Sequence, residues 1–301
     1  MLYTAHFGAA VLGCYLVAWV MLRSRWPATS PTVAILCWQG IGLAVGLSAI
    51  GIPISLGLAP YGRPPGTALR ILADDLAGGR LPAELGVGHL ALISVGLGIG
   101  VVLFWSTGSS LRHAAKARQR QRDLLALVAR ADPAAPGALV LDHPSAAAYC
   151  VPGLRPRVVI SAGALSLLRR DELAAVLSHE QAHAKERHDL VLLPFSALVR
   201  ALPGVSWMVR AMAAVALLVE MRADDRARRQ HTDELLAAAL ARFATAPSRV
   251  TPAGMLAAAD HDIVARVRRL RAPLGPTPLA ALVALASTTA LAALPVALFL
   301  S

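Results

Sequence analysis

Apolar and polar positions are unevenly spread along this chain, and that unevenness sets its layout. Four stretches carry no Asp, Glu, Lys or Arg: Thr4 to Leu22, Val33 to Ala59, Val87 to Trp105 and Pro278 to Leu300. Each is close to the roughly 20 apolar residues that a helix needs to cross a bilayer. The first has no basic segment ahead of its apolar core and is followed by Arg23, Arg25 and Trp26, so it reads as an uncleaved anchor rather than a signal peptide. The second contains Gly40, Gly42, Gly46, Gly51 and Pro53, which predicts close helix packing or a kink.

Between the third and fourth stretches the pattern changes. Residues 109–130 are rich in Arg and Gln but keep Leu124, Leu125, Leu127 and Val128, which predicts a helix leaving the membrane. Ala138–Asp142 and Arg157–Ser161 are short runs suited to strands, the second through its β-branched Val158, Val159 and Ile160, and Ala146–Cys150 is a third candidate. From Arg170 the periodicity is helical almost to Arg271, with breaks at Pro203-Gly204, Ala246-Pro247 and Thr251-Pro252. Residues 131–137 and 272–278 are rich in Pro, Gly and Ala and read as linkers. The expected fold class is an α-helical membrane protein with an α+β cytoplasmic region, mainly helical with a small β-sheet. Its expected divisions are a three-span region (1–106), a cytoplasmic domain (107–276) and a C-terminal transmembrane helix (277–301). Residues 190–219 are apolar but interrupted by Pro194, Arg200, Pro203 and Arg210, so they either lie against the bilayer or pack on the membrane helices. Further spans there would strand an Arg in hydrocarbon.

Composition supports this layout. The 301 residues are 56% hydrophobic and only 16% charged, with a mean hydropathy of +0.58, well above ordinary soluble domains. The net charge of +11 fits a nucleic-acid binder in principle. Here the Arg residues sit beside apolar runs and aromatics are sparse, so the charge reads as the positive-inside bias of a membrane protein, with no direct nucleic-acid partner. Arg23 and Arg25 lie between the first two spans, and Arg112, Lys116, Arg118, Arg120 and Arg122 follow the third. The link between spans two and three balances Arg63, Arg70 and Arg80 against Asp74, Asp75 and Glu84. Together they orient a multi-pass protein of a bacterial-type cell membrane with its N-terminus outside and residues 107–276 in the cytoplasm. Cys14, Cys37 and Cys150 are widely spaced and imply no disulfide framework.

The chemistry concentrates in SHEQAHAKERHD at residues 178–189. His179 and His183 are four apart and project from one helix face, where two imidazoles can ligate one metal. Glu180 follows the first ligand and can reach a water without ligating the metal, the H-E-x-x-H arrangement of zinc peptidases. The bland alternative is two solvated histidines on an exposed face. Downstream, Glu220 and Asp224 in EMRADD again share a helical face: Glu220 suits a third ligand and Asp224 a support for a ligand histidine. Here the alternative is an amphipathic helix in which these acids pair with Arg222, Arg226, Arg228 and Arg229. Asp225 lies off the face and reads as a solvated charge, His188 reads as structural, and His113, His143, His231 and His261 have no ligand-like spacing. A chain reversal at Pro203-Gly204 would bring Glu220 back beside the two histidines. Zinc is then the expected cofactor, with water at the remaining position and Glu180 as general base. An exposed edge at Val158, Val159 and Ile160 would let a peptide substrate add as an extra strand; the alternative is a core strand.

The stretch AAAYCVPGLRPRVVISAGALSLLRRDELAAVLSHEQAH, with the later Glu220 to Asp224, resembles membrane zinc metallopeptidases of the gluzincin type. Within that group the layout of three spans, a catalytic region and another span is most similar to the BlaR/MecR-type antirepressor peptidases. The resemblance implies a zincin-like domain in which His179, His183 and Glu220 bind zinc and Glu180 is catalytic. It further implies signal-linked cleavage of a cytoplasmic protein, with a transcriptional repressor as the candidate partner. The chain ends at Ser301, directly after the last span, so no extracellular penicillin-binding sensor domain is expected. The chain is also similar to the HtpX-like quality-control peptidases, which share both motifs. A non-catalytic membrane sensor is a different class that intact Glu180 argues against. A transporter is disfavoured because the spans lack charges.

Overall fold

A computed structural model describes residues 2–80, 82, 84–133, 135–153, 156–201, 204–245, 256–272, 275 and 278–301. The expected breaks at Ala246-Pro247 and Thr251-Pro252 lie outside the described residues, as does Pro203. In chain order the helices and strands are α1 (Leu2–Arg23), α2 (Trp26–Thr29), α3 (Pro31–Gly57), α4 (Pro65–Ala77), α5 (Val87–Val128), β1 (Ala129–Ala131), β2 (Ala138–Leu141), β3 (Ala148–Val151) and β4 (Arg157–Ser161). They continue with α6 (Ala162–Leu167), α7 (Arg170–Glu186), α8 (His188–Ala201), α9 (Ser206–Ala227), α10 (Asp233–Thr245), α11 (Leu256–Leu270) and α12 (Leu279–Leu300). The architecture is mostly helical with one small sheet, as the sequence pattern predicts. Two compact units emerge: residues 1–109, 194–212 and 277–301 form one, and residues 110–193 and 213–276 the other.

The first unit holds the apolar helices. Among the described residues, four helices are long and apolar enough to cross a membrane: α1, α3, α5 and α12. They leave Leu12, Leu16, Trp19, Val101 and Phe104 exposed, a surface suited to lipid rather than water. Small residues let these helices approach closely, as is usual inside bilayers. A Cβ on Gly51 would lie 2.4 Å from the ring of Phe7, which packs in turn on Phe299 at 5.5 Å between centroids. α3 runs through Pro53 without interruption. Residues 194–212 group with this unit: Trp207 packs on Trp38 at 6.3 Å, and the Ser106 hydroxyl donates to the Ala197 carbonyl at 2.8 Å. The third apolar stretch and the Arg-rich segment after it are one helix of 42 residues, about 63 Å long at 1.5 Å per residue.

The second unit is built on a four-stranded sheet of order β1-β2-β4-β3, in which β2 and β4 are parallel and the other pairs antiparallel. β1 was not expected, since the helix pattern reads on to residue 130; it pairs Ala129 with Leu141 and Ala131 with Leu139. The expectation of an exposed edge at Val158, Val159 and Ile160 is overturned. β4 lies inside the sheet, bonded to β2 on one side and β3 on the other, and all three residues are buried. Their alternation serves both faces: Val158 and Ile160 join the core of Val140, Leu168, Leu173 and Leu177, while Val159 joins Leu125 and Val151. The edge strands of this sheet are β1 and β3.

The helix carrying the H-E-x-x-H motif starts where its acidic residues predict. The buried Glu172 carboxylate accepts from the Arg169 backbone N–H at 2.9 Å and from Arg242 Nε at 2.9 Å, closing the helix N-terminus. The helix ends at Arg187, a non-glycine residue at φ 52°, which turns the chain sharply into α8. No Gly or Pro marks this break in the sequence. At the corner between β4 and α6, Ser161 Oγ accepts from the N–H of Ala147 and of Ala164, and the Gly163 N–H donates to the His143 carbonyl at 2.9 Å. A Cβ on Gly163 would sit 2.0 Å from the Pro144 carbonyl oxygen. Gly163→Ala is therefore expected to destabilise the protein by about 1–3 kcal/mol through backbone displacement, seen as a lowered thermal midpoint in detergent.

Candidate metal centre

Helical periodicity turns His179 and His183 of α7 to one side, and α9 delivers Glu220 to the same place. His179 Nε2 lies 3.1 Å from His183 Nε2 and 3.3 Å from Glu220 Oε2; His183 Nε2 lies 3.4 Å from Glu220 Oε1. Zinc bonds of about 2.0–2.1 Å in tetrahedral array place neighbouring donors about 3.3 Å apart. The three side chains therefore converge at spacings close to those of zinc donors, one Glu220 oxygen lying near each imidazole, and two nitrogens with one carboxylate are a donor set such an ion accepts. The readings of solvated histidines and of a purely amphipathic Glu220 helix do not fit this convergence.

Asp224, one turn beyond Glu220, accepts at 2.9 Å from Nδ1 of the buried His179, which leaves Nε2 as the nitrogen turned to the shared point. His188 is buried against the other histidine, Nδ1 to Nδ1 at 2.9 Å. Asp225, read from sequence as a solvated charge, is instead half-buried and held by both oxygens to Arg269 at 2.7 and 2.9 Å. The arginines expected to neutralise the α9 acids mostly go elsewhere: Arg222 and Arg226 both bind Glu186.

Arg266 on α11 was not singled out from sequence. Its side chain is 9% exposed, and the guanidinium bridges Glu220 Oε2 at 2.9 Å and both Asp224 oxygens at 2.7 and 2.8 Å. The signal was present: Arg266 occupies the apolar face of α11, one turn from Ile263 and from Leu270, where a cation needs a buried carboxylate partner.

Electrostatics follow from these contacts. Burial and Arg266 both lower the pKa of His179, but hydrogen bonds to Asp224 and Glu220 prevail and raise it to about 10. Burial alone would raise Glu220, yet Arg266 and the two imidazoles hold it well below the usual carboxylate range. Asp224 is likewise lowered against its burial, by Arg266 and His179. Glu180 moves the other way: burial raises its carboxyl, assisted by Glu220 and opposed by the two histidines and Arg266.

Glu180, His179, His183 and Glu220 open on a cleft of about 640 Å3, whose apolar wall includes Val176, Leu240, Phe243 and Ile263. The β3 residues Ala148, Tyr149 and Cys150 form another wall. Cys150 is a free thiol, pushed up to about 11 by burial and by nearby Glu180 and Asp189.

Residues 114–252 match the family model of Peptidase family M48, which marks this stretch as a metallopeptidase domain. Together with the four apolar helices, the match supports a membrane metallopeptidase. No solved structure matches the chain.

In the metal-free protein, raising His179 from 6.5 to about 10 stabilises the fold. That stabilisation is complete below pH 6.5 and is lost as pH climbs through about 10. Thermal midpoints of the metal-free protein should fall across this window, and His179→Leu should flatten the fall. Metal uptake displaces the same proton, so its affinity should strengthen with rising pH in a chelator-competition titration.

Proposed function

We propose that this chain is an integral-membrane, zinc-dependent endopeptidase that cuts a cytoplasmic protein in a signal-linked, antirepressor-like step. The observation that carries this reading is the convergence of His179, His183 and Glu220, with Glu180 in the same cleft. Zinc held there would supply a Lewis acid that polarises a carbonyl and brings the pKa of a water down to about 7.

The remaining work falls to the chain's own groups. The Glu180 carboxylate takes a proton from the attacking water and passes it to the leaving amine nitrogen. Burial raises its pKa, which makes the carboxylate a stronger proton acceptor than an exposed one. His179 and His183 would hold the metal through the nitrogens that face Glu220, and Asp224 keeps a proton of His179 on Nδ1. Arg266 holds the Glu220 and Asp224 carboxylates in register and neutralises part of their charge.

An extended substrate segment fits along β3, the edge strand that borders the cleft. The Ser161 N–H donates to the Ala147 carbonyl at 2.9 Å, so the antiparallel alternation turns the N–H and C=O of Ala148 and Cys150 away from β4. That outer side of β3 is where an extended peptide would pair.

The catalytic unit is assigned to the cytoplasm, and the N-terminus to the outside, on the basic run Arg112, Lys116, Arg118, Arg120 and Arg122 after the third apolar stretch. The order of three candidate spans, a peptidase unit and a fourth span supports the BlaR/MecR-type regulatory reading, with a transcriptional repressor as candidate substrate.

Glu180→Ala is expected to retain metal while losing cleavage by about 100-fold to 10,000-fold. In comparative proteomics of cells carrying each form, one or a few cytoplasmic proteins should persist uncut in the variant. Accumulation of many misfolded membrane proteins would replace the regulatory role with HtpX-like quality control. Identical cleavage in both strains would remove the peptidase reading. Cys150→Pro should weaken substrate binding by about 5–10-fold, read as a raised KM at unchanged metal content, because one strand hydrogen bond is lost.

A further inference from the structure

The two histidines of the metal group are backed in different ways. His179 leans on a carboxylate, Asp224, whereas His183 leans on another imidazole. His188 is 4% exposed, places Nδ1 2.9 Å from His183 Nδ1, and meets the first imidazole edge-on at 86° with 4.8 Å between centroids. Its other nitrogen, Nε2, is 3.3 Å from Glu186 Oε2. Glu186 is fixed in turn by Arg222, at 2.9 and 3.1 Å, and by Arg226. Both arginines lie on α9, the helix that carries Glu220 and Asp224. A line of hydrogen bonds thus runs from His183 through His188 and Glu186 to the helix that supplies the third ligand.

The backbone is bent to make this line possible. Between Glu186 and His188 sits Arg187 at φ 52°, a left-handed conformation that costs a non-glycine residue about 1–2 kcal/mol. Its N–H closes on the His183 carbonyl, and the turn folds the first residue of α8 back onto the face of α7 that carries the metal histidines. Sequence spacing alone made His188 a structural residue.

Protons on the line can be assigned from the ligand end. A lone pair on His183 Nε2 requires the proton on Nδ1, which then donates to His188 Nδ1. His188 accepts there only if its own proton is on Nε2, and that N–H is aimed at the Glu186 carboxylate. The opposite tautomer would point an N–H at the metal.

Resting on the zinc reading above, we infer that His188 is a positioning residue: aimed by Glu186 and by the Arg187 turn, it fixes the tautomer and ring orientation of His183 for metal binding. Loss of such an outer partner typically costs 10–100-fold in metal affinity, roughly. His188→Leu removes the nitrogen while keeping an apolar group of similar bulk; His188→Asn keeps a polar atom near the Nδ1 position; Glu186→Gln weakens the line one step further out.

The test is a zinc titration of the purified full-length protein against a chromophoric chelator, with absorption spectra of the cobalt-substituted forms. Wild type should bind one equivalent. His188→Leu should bind about 10–100-fold more weakly with an altered cobalt spectrum, His188→Asn should recover most of the affinity, and Glu186→Gln should fall between them. His188→Leu with wild-type affinity and spectrum overturns the positioning role and leaves the zinc reading intact. Wild type that binds no zinc overturns both. Should His188→Leu fail to fold by circular dichroism, Glu186→Gln decides: unchanged affinity and spectrum overturn the inference, and a weakened, spectrally shifted site supports it.

Discussion

Holding several lone pairs on one point inside a partly buried cleft is the constraint around which the catalytic unit is organised. Without a cation, His179, His183 and Glu220 crowd within hydrogen-bonding distance and must share protons to coexist. Burial makes any unpaired charge there expensive, so each donor is matched from behind. Asp224 matches His179, Arg266 matches Glu220, and the guanidinium closes the circuit by binding Asp224 as well. In the metal-free site the two carboxylates are balanced by the Arg266 guanidinium and by the extra proton held on His179. A divalent cation would take the place of that proton.

The fold serves this constraint through three helices. α7 gives the two histidines and Glu180, α9 gives both carboxylates, and α11 gives the bridging arginine. The buried Glu172 at the start of α7 and the left-handed Arg187 at its end set the length of the metal-binding helix. β4, packed through both faces, anchors the sheet beneath it and leaves β3 as the border of the cleft. The long apolar stretches and the side chains of the candidate metal centre thus fall in two individually compact units of one chain.

Some of this was legible in the sequence because it depends on local spacing. The four-residue interval of His179 and His183, the same interval of Glu220 and Asp224, and uncharged runs of span length are all read within a few helical turns. What stayed hidden depends on long-range pairing. Strand order puts β4, not β3, in the interior, and no periodicity within Val158–Ile160 distinguishes a central strand from an edge. Arg266 is 46 residues from its partner Glu220, and only its place on an apolar helix face hinted at burial. His188 escaped because the turn that presents it is made by an arginine in a conformation normally left to glycine or asparagine. Asp225 found Arg269 rather than solvent for the same reason, a partner from a distant helix.

The central claim concerns which atoms hold the metal, and X-ray absorption at the zinc edge of the purified, zinc-loaded protein addresses it most directly. Two imidazole nitrogens, with their characteristic ring scattering, and carboxylate or water oxygen at about 2.0–2.2 Å are the expected coordination. A sulfur donor at about 2.3 Å, or zinc surrounded by oxygen without imidazole scattering, would contradict the assignment of His179, His183 and Glu220.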